Sequence, residues 1–230
     1  MHTLVVTETA WKQVVATVQS TPPGLETGVK LFGSRLQLPA AESSFSVAFA
    51  VVGPGKQATH QPGHYSDDEE HANHVFGSLL CALPGIEWLG ELHVHPPGMT
   101  WLSGGDRQTV QAILTGSDQT LHPPDFVAGV MQRSDGALRV YAYHFTSECR
   151  DGVQVPVLIA DGNDPLVHTA KLKTIQEGGN NDRSSVRPQP AGSGTIEQEA
   201  PRYHRLRQWR ERIGAHGRAL WGRIARPRRP

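Results

Sequence analysis

The chain has 230 residues and a mass of 25.1 kDa, room for one domain with a substantial appendage or for two small ones, which excludes a large multidomain machine. Hydrophobic residues at 37% supply a core, while 24 glycines and 17 prolines exceed the ~12% combined share of globular chains and predict that part of the sequence is unpacked. A formal net charge of zero hides a split: residues 201–230 hold ten Arg against Glu211 and stand at +9, leaving residues 1–200 at −9.

From Thr3 to about Ile159 the pattern alternates between strands and helices, which predicts an α/β (mixed α+β) domain. Leu4 to Val6 reads as a short strand, and Thr7 as the N-cap of a helix from Glu8 to about Gln19 that ends at Thr21-Pro22-Pro23-Gly24. Strands follow within Glu26 to Leu38 and over Phe45 to Val52, then a polar, His-containing loop from Lys56 to Tyr65. Ser66 precedes Asp67-Asp68-Glu69-Glu70, whose acids suit the first turn of a helix running to about Leu83. Glu87 to His95 reads as a strand, and Ser103 as the cap of a helix from about Gly104 to Leu114. A hairpin, Phe126 to Gln132 and Ala137 to Phe145, turns at Ser134-Asp135-Gly136, and a last strand covers Val153 to Ile159. The texture then changes, and residues 161–200 read as a flexible linker after a domain spanning 1–160.

The apolar runs fall far short of the ~18 residues of a membrane span, and Met1 to Ser20 carries Glu8 and Lys12 where a signal peptide would be apolar. The reading is a soluble, unexported, cytoplasmic protein. Cys81 and Cys149 form no short-spaced pair; a disulfide is not expected, and Cys81 reads as a small buried hydrophobe.

The chemistry concentrates in Gly90 to Asp106. His93 and His95, two apart on a strand, project from one face and can converge on one ion, with Asp106 as a third, anionic ligand. Two imidazoles and a carboxylate leave tetrahedral zinc a fourth position for water, as in catalytic sites. A His-x-His pair alone arises by chance ~0.6 times at this composition; adding Pro96, Ser103 and Asp106 at their offsets lowers that to the order of 10⁻⁴. For a general base, spacing alone favours Glu91, which shares the strand face of His93 and His95.

His93-x-His95-Pro96 followed by Trp101-Leu102-Ser103-x-x-Asp106 resembles the signature of the JAMM metalloproteases, zinc isopeptidases that remove ubiquitin or ubiquitin-like modifiers. Glu26-Thr27-Gly28 followed by Val29 to Gly33 is similar to the family's earlier glutamate strand, and Gly53-Pro54-Gly55 before an acidic-capped helix to its prokaryotic branch. The sequence departs from the pattern at Lys30, where an apolar residue is usual. The resemblance, over roughly residues 1–150, implies a JAMM/MPN-type mixed sheet flanked by helices, Zn²⁺ on His93, His95 and Asp106, Glu26 as general base and Ser103 stabilising the oxyanion. It also implies a bacterial enzyme that matures or removes a ubiquitin-like protein, alongside activating and conjugating enzymes of the same pathway. The alternatives are a peptidase of the same fold acting on small peptides or sulfur-carrier precursors, and a non-catalytic MPN scaffold.

Other histidines lack a ligand spacing: His60, His64, His71 and His74 read as surface or capping residues, and His122, His144 and His168 as isolated. Residues 201–230 form an Arg/Trp-rich basic tail with helical texture, suited to an acidic protein, nucleic acid or an anionic membrane surface.

Overall fold

The computed structural model describes residues 1–38, 42–116, 123–134 and 137–183. Along them run β1 (His2–Thr7), α1 (Glu8–Ser20), β2 (Gly28–Leu38), β3 (Ser43–Val52), a short pair β4 (Thr59–Gln61) and β5 (His64–Ser66), and α2 (Glu69–Ala82). β6 (Glu87–Val94), α3 (Gly104–Thr115), β7 (Asp125–Ser134), β8 (Ala137–Thr146), β9 (Val153–Val155), β10 (Val157–Ala160) and α4 (Pro165–Arg183) complete them. The class is the mixed α/β one that the sequence pattern predicts.

Eight strands form one mixed sheet in the order β10-β1-β3-β2-β6-β7-β8-β9. The two edge strands are consecutive in sequence, separated only by Pro156, which has no N–H to give to a ladder. The sheet is therefore rolled, and one broken strand serves both of its edges. Val153–Val155 pair with β8, Val157–Ala160 pair with β1, and the Pro156 carbonyl accepts the Leu4 N–H at 3.0 Å. The single strand expected over Val153 to Ile159 is thus two, and the roll covers edges that would otherwise template association.

α1 fills the inside of the roll. Its buried stripe, Ala10, Val14 and Val18, packs with Leu4, Val6, Leu31, Leu92 and Met131. The Thr7 hydroxyl caps its start by accepting the Ala10 N–H at 3.3 Å, and Arg133 closes its end by donating to the Val18 and Thr21 carbonyls at 2.7 and 2.8 Å. The other helices cover the outer face: α2 over Phe32, Val52 and Ile86, α3 over Phe126, Ala128 and Val130, α4 over Val5, Leu36 and Val47. Strand alternation sends Leu92 and Val94 inward and so turns His93 and His95 outward, toward α3.

Four local expectations need correction. The segment from 161 is no linker at first, because α4 buries Val167, Ala170 and Thr174 completely; this stripe of small and β-branched residues is too weakly apolar to read as a helix face. α2 starts at Glu69, so Asp67 and Asp68 precede its first turn, and Asp68 is its cap, the carboxylate accepting the His71 and Gln57 N–H groups at 3.0 and 3.1 Å, which holds its pKa below the ordinary carboxylate value. Cys81 is exposed, off the Ala72–Phe76 face that packs on the sheet. His144 is not isolated, since its ring stacks on His2. The linker beyond 183, the basic tail, His122 and most of the expected Ser134-Asp135-Gly136 turn lie outside the described residues.

Candidate metal centre

The ligand strand is set by backbone pairing. β6 lies antiparallel to β2 with Gly28 opposite His93, and parallel to β7, whose Met131 carbonyl accepts the His95 N–H at 3.2 Å. Asp106 arrives from the first turn of α3, where it and Ser103 form a capping box. The Ser103 Oγ accepts the Asp106 N–H at 3.2 Å, and Asp106 Oδ2 accepts the Ser103 N–H at 2.7 Å. The helix cap therefore also fixes the carboxylate.

These elements bring together the three sequence-predicted ligands. His93 Nε2 and His95 Nε2 lie 2.6 Å apart, and Asp106 carboxylate oxygens lie 3.5 Å from the first and 3.3 Å from the second. Zinc–ligand bonds of ~2.0–2.1 Å at tetrahedral angles put donor atoms ~3.3 Å apart, so the set fits a metal ion once the two imidazoles separate slightly. Two imidazole nitrogens at this distance need a proton or a cation between them, since otherwise two lone pairs face each other. The His95 Nδ1 is buried and meets no hydrogen-bond partner among the described residues.

The electrostatics follow from partial burial. Burial works against the His93 imidazolium, but the Asp106 carboxylate outweighs it and holds the His93 pKa above its ordinary value. Burial likewise works against the Asp106 carboxylate, and hydrogen bonds from His93, His95 and Ser103 override it, holding Asp106 far below the usual range. Glu26 is pushed up by burial, only partly offset by the two imidazoles.

Glu26 and Ser103 line the same pocket of about 340 Å³ as the three ligands. Thr27 ties the Glu26 segment to the ligand strand, its carbonyl accepting the Val94 N–H at 2.7 Å, and continuing that register stands Glu26 beside His95. Glu91, the other candidate base, is bound instead by Lys30 at 2.5 Å, and the same ammonium reaches Asp67 at 3.0 Å. Lys30 therefore answers two carboxylates, which raise its pKa against the effect of burial. Val110, Ile113 and Phe126 give the pocket an apolar part of its wall.

The reading of Lys56 to Tyr65 as a plain loop misses part of this site. β4 and β5 form a hairpin with Gly63 at φ +74, following Pro62, and Gly63, His64 and Tyr65 line the pocket. The Pro-Gly pair is a type II turn signal that sequence alone carries.

A second His/His/Asp grouping, His2, Asp125 and His144, is a poor metal site. Its imidazoles are stacked 3.6 Å apart and 9° from parallel, so one ion cannot lie in both ring planes, and the Arg35 Nε already holds Asp125 at 2.5 Å.

No family model and no curated protein matches the sequence. Among solved structures the chain is similar to the solution structure of protein DSY2949 from Desulfitobacterium hafniense, at 13% identity and a TM-score of 0.47 over 69% of this chain and 93% of that one.

Proposed function

We propose that the chain is a zinc-dependent hydrolase of amide bonds with the chemistry of the JAMM metalloproteases, cutting at the C-terminal tail of a ubiquitin-like protein. The observation that carries this reading is the convergence of two imidazoles, one carboxylate and a separate buried glutamate on one open pocket. Imidazole with carboxylate suits zinc, and His93, His95 and Asp106 would hold it. When bound, it supplies a Lewis acid that brings the pKa of water toward ~7.

The chain's own residues do the rest. Glu26, its affinity for a proton raised by burial, accepts one from the attacking water and delivers it to the leaving amine nitrogen. The Ser103 Oγ accepts the Asp106 N–H, so its own hydrogen, which stands beside the Asp106 carboxylate, is available to turn to the substrate carbonyl oxygen as charge develops there. The helix cap and the oxyanion donor are thus compatible roles for one hydroxyl.

The test starts from zinc content in the full chain purified without added metal, in the parent, His93→Ala and Asp106→Asn, followed by cleavage of fusions to ubiquitin-like proteins. About one zinc per parent chain, its loss in both variants, and cleavage abolished in Glu26→Gln with zinc retained would support the reading. A folded parent that takes up no zinc on reconstitution overturns it.

A further inference from the structure

The main chain at Glu26 is flanked on two sides by different structures. On one side β6 pairs with it through the Val94–Thr27 bond. On the other side β3 has already ended, since its last residue, Val52, pairs with Lys30. The β4–β5 hairpin takes the place of β3 there. The Gln61 carbonyl accepts the Glu26 N–H at 3.2 Å, and His60 Nδ1 lies 2.9 Å from the Glu26 carbonyl, to which it must be the donor because a carbonyl only accepts. Tyr65 fills the space that Gly28 leaves by having no side chain: its Cε1 lies 2.6 Å from where a Cβ would be, and its hydroxyl donates to the Gly28 carbonyl at 3.3 Å.

We propose that His60 is a positioning residue that sets the Glu26 carboxylate over the candidate metal centre by holding the Glu26 main chain through Nδ1. The proposal rests on the reading of Glu26 as the proton carrier. Both main-chain polar groups of Glu26 end on the hairpin, so the position of this one residue depends on it. The hairpin has only three cross-strand pairs, too few to be stable alone, and the bonds to Glu26 anchor both partners. A proton carrier displaced by ~1 Å loses on the order of a hundredfold in rate, so a main-chain brace at this residue carries catalytic weight without touching substrate.

The test compares the full-length, zinc-loaded parent with His60→Ala and His60→Asn; the asparagine amide nitrogen occupies the place of Nδ1 and still donates. Amide hydrogen exchange by NMR reads the brace without reference to activity. In His60→Ala the Glu26 amide should exchange about tenfold faster or more, the His95 amide should keep its protection, and His60→Asn should restore the parent rate. On a ubiquitin-like protein carrying a C-terminal aminocoumarin amide, kcat of His60→Ala should fall about tenfold or more with KM within about twofold, again recovered in His60→Asn. A Glu26 amide exchanging at the parent rate in His60→Ala, or His95 losing protection equally, overturns the proposal. A parent without hydrolysis removes the enzymatic reading, while the exchange comparison still decides whether His60 holds Glu26.

Discussion

The His2 and His144 rings lie stacked with centroids 3.6 Å apart, joining β1 to β8 across the seam of the rolled sheet. His2 is also bound on both nitrogens, by Ser44 Oγ at 2.8 Å and Ser46 Oγ at 3.1 Å, and His144 Nε2 stands 3.3 Å from Asp125 Oδ2. Two protonated imidazoles cannot stay face to face in this setting, so folding selects a neutral His2.

A definite pH dependence follows. Burial first, then the neighbouring His144, lowers the His2 pKa from 6.5 to about 4. The folded-state value lies below the unfolded one, so the contribution to stability is complete above pH ~6.5 and is lost as the pH falls toward 4, amounting to about 3 kcal/mol. Asp125 acts in the same direction at lower pH: against burial, His144 and Arg35 hold it down to about 2, so its contribution is present above pH ~4 and lost beneath. Calorimetry across pH 7 to 4 should show the Tm falling in the parent and a flatter profile in His2→Gln. An unchanged slope in that variant would exclude the seam as its source.

Arg35 is the keystone of the same polar end of the roll. Its guanidinium binds Asp125 Oδ1 at 2.5 Å, Glu87 Oε1 at 2.9 Å, and the Trp88 and Asp125 carbonyls at 3.0 and 2.9 Å. Removing it would leave two carboxylates in one partly buried space, Glu87 with Lys173 at 3.9 Å and Asp125 with His144 at 3.3 Å as weaker partners. Arg35→Met should therefore cost about 3 kcal/mol in urea unfolding, more than a surface ion pair explains, and adding Asp125→Asn should recover part of that loss. A cost under about 1 kcal/mol would place this network among the weak surface pairs.

Two glycines make opposite forecasts. At Gly90 a Cβ would sit inside the Val127 carbonyl, main-chain atoms of the strand it pairs with, so neither side can yield without breaking the β6–β7 ladder that carries His93 and His95. Gly90→Ala should destabilise by about 3 kcal/mol and lower metal uptake with it. Gly104 opens α3 with nothing within 4 Å of a would-be Cβ, and Gly104→Ala should be neutral or stabilising by up to about 1 kcal/mol. Thermal melts of the two variants side by side check the pair.

What the sequence displays of the site is what the site keeps local. His93, His95, Ser103 and Asp106 sit in one short stretch, and their spacing already encodes a strand face followed by a capped helix. Glu26 could be paired with them only through family resemblance, because its proximity depends on the β2–β6 register, a long-range pairing that residue patterning does not contain. His144 fails for the same reason, with partners on β1 and β7. The hairpin at Thr59 to Ser66 is a different case: its Pro62-Gly63 turn is visible, but its strands of three residues each are too short to show alternation. α4 escaped because its buried stripe is Val, Ala and Thr rather than large apolar residues.

Ser103 is where stability and chemistry can be separated. As N-cap its hydroxyl satisfies one of the orphan N–H groups of α3, and losing it should cost about 1 kcal/mol. As the proposed oxyanion donor its loss should lower kcat by about a hundredfold, a far larger effect on the rate than that destabilisation produces in a chain that remains folded. Ser103→Ala removes both functions, whereas Ser103→Thr keeps a hydroxyl that can cap and donate. The candidate metal ligands are unchanged in either, although the alanine variant leaves Asp106 to be oriented by the Ser103 N–H and the two imidazoles. Zinc content near the parent value in both, a modest fall in Tm and a hundredfold fall in kcat confined to Ser103→Ala would assign the two roles to the one hydroxyl. Equal turnover in alanine and parent would leave Ser103 as a helix cap and require the oxyanion donor to be sought elsewhere in the pocket.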